Sequence, residues 1–74
     1  MAQTVISLGK RVAWLRRRTG LTQEELAEAC SYSVDFIGLI ERGINAPTVD
    51  RLADIASALG VEVWQLFLPE DSTD

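Results

Sequence analysis

The feature that most constrains this chain is a helical spacing of apolar residues that is interrupted by glycine. Leu8 and Val12, for example, are four residues apart, and spacings of three and four place side chains on one face of an α-helix. Glycine readily adopts the left-handed backbone that ends a helix. No stretch shows the strict alternation of a strand, so the sequence predicts an all-α fold. The glycines that end three of these stretches are Gly20, Gly43 and Gly60.

Helix-start signals precede the later stretches. Thr22 and Glu25 have the spacing of a capping box, in which each side chain accepts a hydrogen bond from the other residue's backbone amide. Ser33 and Thr48 can cap the third and fourth helices, and a fifth, short helix is predicted over about 62–67. Five short helices with short loops predict one compact domain. The apolar positions expected on the inner faces are Leu8, Val12, Leu15, Leu26, Ala27, Cys30, Phe36, Ile37, Ile40, Val49, Leu52, Ile55, Ala56, Leu59, Val63, Leu66 and Phe67.

The composition excludes several classes of protein. The 74 residues include one cysteine, Cys30, and no histidine, so an intramolecular disulfide and the usual zinc sites are excluded. We expect Cys30 to be a small buried apolar residue, and we expect no metal, no cofactor and no enzymatic activity. No apolar run is long enough to span a membrane, and the N-terminus lacks the pattern of a signal peptide. The expectation is a cytoplasmic protein.

Charge is distributed unevenly along the chain. Residues 1–20 carry five basic and no acidic side chains, whereas residues 21–74 carry two basic and eleven acidic ones, and the net charge is −4. A basic end on an acidic body can still meet an anionic surface locally. Strong non-specific binding to DNA is disfavoured, because it grows with the number of phosphates neutralised.

The second and third predicted helices are separated by a very short link. This spacing is typical of a helix-turn-helix, in which the first helix crosses the DNA backbone and the second enters the major groove. The spacing alone is weak evidence, since adjacent helices of an ordinary bundle share it.

The residues themselves carry a stronger signal. "GLTQEELA", "IERG" followed by "INAPT", and "ALGV" resemble the Cro/cI-type helix-turn-helix family of bacterial and phage regulators, the XRE family. The resemblance covers about residues 7–68 and implies a lambda-repressor-like five-helix domain that binds double-stranded DNA, usually as a homodimer on a palindromic operator. Residues 1–6 would be an N-terminal arm and 69–74 a flexible acidic tail. Phage-type repressor, restriction-modification controller and antitoxin are all possible roles within the family.

The resemblance also implies which residues face the bases. In this chain the available chemistry is limited: methyl groups for thymine, one carboxylate for a cytosine amino group and one hydroxyl. The base-facing positions include no arginine, lysine, asparagine or glutamine. We therefore expect modest direct readout of the bases, supplemented by recognition of DNA shape. The implied base-reading positions are Ser33, Val34, Asp35, Gly38 and Leu39.

Other positions match the family's backbone-contacting and structural residues. Arg16 and Glu41 match a pair that joins the first helix to the third. Phosphate contacts set the position of a protein on DNA without carrying sequence information. The positions expected to contact phosphates are Thr22, Gln23, Arg42, Asn45 and Arg11, with an ordinary solvated surface as the alternative for each.

A dimer interface is predicted at the C-terminal end. Trp64 occupies a position that is usually polar in the family, and Ile44, Val61 and Leu68 could extend an apolar surface around it. Trp14 lies off the apolar stripe of the first helix, and either partial burial or an interface would account for it. A module that keeps the fold but binds a partner protein, with weak or no base reading, is the alternative function.

Overall fold

The computed structural model describes residues 2–73, with side chains from residue 4 onwards. It contains four α-helices and one 3-10 helix: α1 (Ala2–Thr19), α2 (Gln23–Cys30), α3 (Val34–Glu41), α4 (Val49–Leu59) and η1 (Val63–Phe67). No strand is present in this part of the chain. The prediction of an all-helical fold is therefore confirmed for the described residues.

The fifth predicted helix is a 3-10 helix rather than an α-helix. This helix contains only five residues, Val63–Phe67, and Pro69 follows two positions after its last residue. So short a segment forms few i to i+4 hydrogen bonds, and proline has no amide hydrogen with which to extend them. The five-helix count is thus four α-helices and one 3-10 turn.

The helix starts follow the predicted capping residues. Thr22 Oγ1 accepts from the Glu25 amide at 3.0 Å, and Glu25 Oε1 accepts from the Thr22 amide at 2.8 Å. Ser33 and Thr48 accept from the amides three residues later. Gly20, Gly43 and Gly60 all have positive φ, as their places after helical stretches predicted.

Most of the predicted inner-face residues are buried in one core. Phe36 and Val63 are half-buried against this core, and two residues are exposed, Val49 to 74% and Phe67 to 54%. Val49 is the first residue of α4, one turn before its first buried residue, Leu52. In a 3-10 helix residues three apart share a face, so Phe67 lies on the face of Trp64 rather than on that of the buried Leu66.

Both ends of the described chain are connected to α1. α1 begins at Ala2, so residues 2–6 are helical and do not form an arm. In the tail, the backbone oxygens of Glu70 and Ser72 accept hydrogen bonds from Arg11 Nη1 at 3.2 and 2.7 Å. Two hydrogen bonds thus join the backbone of the tail to α1.

A close crossing of α1 and α3 determines how the helix-turn-helix sits on the domain. A Cβ atom on Gly9 would lie 2.2 Å from the Ile40 carbonyl oxygen and 2.8 Å from that of Glu41. Real contacts of this kind are never so short, so only glycine allows the two backbones to approach this closely. Sequence reasoning did not single out Gly9.

Candidate nucleic-acid interface

The link between α2 and α3 consists of three residues, Ser31 to Ser33. Ser31 takes a left-handed conformation, with φ of 62°, and ends α2 without a glycine. The Tyr32 amide donates to the Ala27 carbonyl at 2.8 Å, and Ser33 then caps α3. The chain therefore turns sharply between two helices that pack directly on each other. This is the arrangement of a helix-turn-helix.

The inner face of α3 is anchored by an ion pair. Arg16 Nε lies 2.6 Å from Glu41 Oε2, and Arg16 Nη2 donates to Glu41 Oε1 at 3.2 Å. Both side chains are largely buried. Arg16 Nη1 also donates to the Leu21 carbonyl at 2.9 Å, so the same guanidinium ties α1 to the start of α2. Bidentate pairs of this kind hold geometry well.

Gln23 belongs to the same cluster. Its Nε2 donates to Glu41 Oε1 at 2.9 Å, a contact that sequence reasoning missed. The side chain is half-buried in the first turn of α2. One of the two hydrogens on its amide nitrogen is thus used within the protein, and the other can still donate to a phosphate. The free backbone amides of the helix start offer further donors to the same phosphate.

The outer stripe of α3, which we define as Val34, Asp35, Gly38, Leu39 and Arg42, carries the predicted base-reading positions apart from Ser33. Val34 and Asp35 are exposed, and Gly38 and Leu39 are half-buried. Among the described residues, only the Arg42 side chain of the stripe itself comes within 4 Å of where a Cβ atom on Gly38 would be, outside the backbone of α3. The Ser33 hydroxyl accepts from the Phe36 amide at 3.1 Å and serves first as the helix cap.

Arg42 folds back along this stripe. Its Nε donates to the Gly38 carbonyl oxygen at 3.2 Å. One terminal nitrogen of the guanidinium lies 4.0 Å from where a Cβ atom on Gly38 would be. The exposed charge therefore lies over α3 itself rather than beyond the end of the helix.

Arg11 was predicted to contact the DNA backbone, and the structure contradicts this. The residue is 1% exposed. Its Nε donates to the Gln65 carbonyl at 2.8 Å, in addition to the two bonds to the tail. Burial lowers the pKa of Arg11, the nearby Arg18 lowers it further, and Asp71 opposes the shift. Arg11 joins α1 to η1 and the tail and is not available to a phosphate.

The other predicted backbone residues surround the stripe. Thr22 is exposed at the start of α2, and its hydroxyl is engaged as a cap. Asn45 is half-buried, and its backbone amide donates to the Leu39 carbonyl at 3.3 Å. Both residues adjoin the helix-turn-helix, one at each end of it.

Sequence reasoning missed a cation beside the turn. The Arg51 guanidinium lies 4.9 Å from the Phe36 ring centre and 5.6 Å from that of Tyr32. The Tyr32 hydroxyl donates to Asp54, and this hydrogen bond, with desolvation and the Asp54 charge, raises the pKa of Tyr32 to about 12. In the sequence, Tyr32 and Phe36 were the signal that could have indicated a nearby cation, because aromatic ring faces attract cations.

The predicted dimer residues divide into two groups. Trp64 is 61% and Ile44 62% exposed, whereas Val61 and Leu68 are half-buried. Phe67, which was predicted to be buried, lies on the same face of η1 as Trp64. We call Trp64 and Phe67 the aromatic pair.

Two further predictions concern single residues. Trp14 is half-buried against the core, with the guanidinium groups of Arg11 and Arg18 at 5.3 and 5.0 Å from its ring centre. Partial burial therefore accounts for it. Cys30 is buried, as predicted, and burial raises the pKa of its thiol, so it remains the weakly reactive neutral form.

Two features are absent from the part of the chain that the structure describes. No three histidine, cysteine, aspartate or glutamate side chains of residues 2–73 gather as a metal site would require. Within the same residues, no helix combines the length and the apolar character needed to cross a membrane.

Comparison with known proteins agrees with this geometry. Residues 7–64 match the family described as "Helix-turn-helix domain". An uncharacterized HTH-type transcriptional regulator, y4dJ of Sinorhizobium fredii, is 42% identical over 66 residues, which cover 89% of this chain and 86% of the relative. The immunity repressor protein of Bacillus phage phi105 is 34% identical over 58 residues, covering 78% of this chain and 40% of the repressor.

Solved structures give the same result. The restriction-modification controller protein C.AhdI from Aeromonas hydrophila superposes with a TM-score of 0.83 at 32% identity, covering 85% of this chain and 96% of the controller. The clp gene regulator ClgR from Corynebacterium glutamicum gives 0.84 at 31% identity, covering 86% and 82%. Members of this family bind DNA and are not enzymes. This chain therefore belongs to the helix-turn-helix family of transcriptional regulators.

Proposed function

We propose that this domain binds DNA in a sequence-specific manner, as a homodimer on a palindromic operator. The observation that carries the proposal is the uncovered outer stripe of α3, on a helix whose opposite face is held by Gly9 and the Arg16–Glu41 pair. A fixed helix with one free face can enter the major groove in a single orientation. A regulator of this kind acts in the cytoplasm, where bacterial and phage DNA lies.

Within this proposal the roles follow the geometry. Val34 and Leu39 contact thymine methyl groups, Asp35 accepts from a cytosine amino group, and Ser33 remains near the DNA at the helix start. The first turn of α2, with Thr22 and Gln23, faces a phosphate through its backbone amides, because the helix dipole favours an anion there. Asn45 follows the backbone at the other end of α3.

The test of DNA binding is a selection of bound sites from random duplexes, followed by a salt titration on the selected sequence. We expect a palindromic consensus whose half-sites are about 34 Å apart, one turn of the double helix. Affinity for it should fall steeply as salt rises, because phosphate contacts release counterions. Equal binding to all duplexes at every salt concentration would contradict the proposal.

The aromatic pair supports the dimer. Two large rings on one face of η1, each more than half exposed, leave a surface that a second copy can cover by two-fold pairing. Ile44 and Leu68 extend this surface in the proposal, and Phe67 takes the place of Val61, which is half-buried.

Sedimentation of Trp64→Ala and Phe67→Ala variants tests the interface. Both should shift the protein towards monomer at micromolar concentration, since aromatic anchors commonly contribute about 2 kcal/mol or more each. Val49→Ala is the matched control, because Val49 is also more than half exposed but lies at the start of α4. A monomeric wild-type protein, or a dimer indifferent to both aromatic substitutions, would contradict the assignment.

A protein-interaction module is the second candidate function. The observation that favours it is the same exposed aromatic pair, which a partner protein could cover instead of a second copy. A domain used in this way would show no preferred DNA sequence in the selection described above.

A further inference from the structure

We propose that Arg42 reads the edge of a guanine in the major groove, from a position over α3 that Gly38 leaves open. This inference rests on the proposed DNA-binding function and gives it its main specificity determinant. It changes the expectation, drawn from the family resemblance, that Arg42 contacts only phosphate.

Guanine presents two acceptors, O6 and N7, and a guanidinium is the side chain that matches them best. The other residues of the outer stripe offer methyl groups and one carboxylate, none of which donates a hydrogen bond. Arg42 is the only basic residue in positions 34–42. If this helix reads a guanine strongly, Arg42 must supply the donors.

The position of Arg42 along α3 supports the same contact. Seven residues, about two helical turns, separate Asp35 from Arg42, so both residues lie on the same line along the helix. Gly38 lies between them. The bond from Arg42 Nε to the Gly38 carbonyl, 3.2 Å, turns the side chain back along this line towards Asp35. The guanidinium is thereby placed over the part of α3 that faces the groove, instead of beyond its end.

Gly38 has no structural role within the domain that would explain a glycine inside a helix. Glycine in a helix costs about 1 kcal/mol relative to alanine, and two common reasons for it do not apply. Gly38 has no positive φ, and no backbone of another element approaches it. Beyond the backbone of its own helix, the only atom within 4 Å of where its Cβ would be is the Arg42 terminal nitrogen, at 4.0 Å. A side chain larger than alanine would compete with the guanidinium for this space.

The charge of Arg42 is free to bind. Among residues 2–73 the one ion pair joins Arg16 to Glu41, so no described carboxylate neutralises Arg42. Its Nε is the atom held by Gly38, and its terminal nitrogens make no hydrogen bond to the described residues. These two nitrogens are the donors that a bidentate contact with guanine uses.

The experiment compares wild-type protein, Arg42→Lys and Gly38→Leu on the selected operator and on operators with each base pair changed in turn. Lysine keeps the charge but loses the bidentate fork, and leucine fills the space over Gly38. Wild-type protein should discriminate roughly tenfold or more at one G·C pair in each half-site. Both variants should lose that discrimination and keep the preferences at all other positions.

Arg17→Lys is the matched control, because Arg17 is an exposed arginine on α1, and it should leave every base preference intact. Unchanged circular dichroism and thermal midpoints would show that the variants fold. If a selective wild-type protein and Arg42→Lys show the same preference at every base pair, with equal losses of affinity throughout, Arg42 contacts phosphate only and the inference is wrong. A wild-type protein without any sequence preference would overturn the proposed function as well.

Discussion

On its inner face α3 presents Ile37, Ile40 and Glu41, whereas its outer stripe presents Val34 and Asp35 to solvent. The inner residues are fixed by core packing, by the close approach of α1 at Gly9 and by the pair with Arg16. The outer residues make few contacts within the domain. The position of α3 is therefore determined on its inner face, and the DNA preference that we propose resides on its outer stripe. Changes on the two faces should therefore have separable effects.

Gly9→Ala should produce the largest effect. Its new methyl group would overlap the Ile40 carbonyl oxygen, and backbone atoms cannot move aside as a side chain does. We expect a loss of about 3 kcal/mol or more in the free energy of unfolding, the upper range for overpacking. Urea unfolding followed by circular dichroism measures it.

Gly38→Ala is the matched control for Gly9→Ala, since both glycines lie inside helices. No atom outside the backbone of α3 lies closer than 4.0 Å to the new methyl group at position 38. The substitution should raise stability by up to about 1 kcal/mol through helix propensity alone. Similar stability changes for the two alanine variants would show that the faces of α3 do not differ as described.

Glu41→Ala should have the next largest effect. It leaves the buried Arg16 guanidinium without its carboxylate and removes the acceptor of Gln23 Nε2. Removing one partner of such a pair costs about 3 kcal/mol. A double-mutant cycle with Arg16→Met in chemical denaturation measures the coupling. Additive losses from the two substitutions would contradict a direct interaction between them.

Asp35→Ala tests the outer stripe. Its effect on stability should stay within about 1 kcal/mol, the contribution of an exposed acid in the first turn of a helix. Discrimination at one base pair should fall by about 1 to 3 kcal/mol, while overall affinity stays the same or rises because a negative charge near the phosphates is lost. Competition binding with single-base operator variants measures this. A uniform loss across all sequences would exclude a reading role for Asp35.

The smallest effect concerns Tyr32, in the link between α2 and α3, and it depends on pH. The Tyr32 pKa of about 12 exceeds its ordinary value of 10, chiefly because the hydroxyl donates to Asp54. The folded protein therefore keeps this proton between pH 10 and 12 while the unfolded chain loses it. The contribution of this bond to stability is complete below pH 10 and is lost as the pH rises towards 12.

Tyr32 is the only tyrosine in the chain, so the absorbance of tyrosinate reports its titration directly. Asp54→Asn should lower the pKa of Tyr32 towards 10, because the negative acceptor is gone. Titration of both proteins at the same pH would show that Asp54 does not hold the hydroxyl.

Part of the candidate site was predictable because it depends on local rules. The caps at Thr22 and Ser33 require only residues three positions apart, and the exposed side of α3 follows from its helical period. The role of Phe67 was mispredicted because the period itself changed, from 3.6 residues per turn to three. The fold-back of Arg42 depends on a rotamer, which spacing alone does not determine.

The sequence by itself determined that this protein is helical, where most of its helices begin and end, and which residues form most of its core. These properties arise from interactions between residues close together in the chain. Tertiary structure alone decided that Gly9 must be glycine, since the carbonyl it meets is 31 residues away. It also decided that Arg11 serves the tail instead of DNA, because a guanidinium binds whichever carbonyl oxygens the fold brings to it.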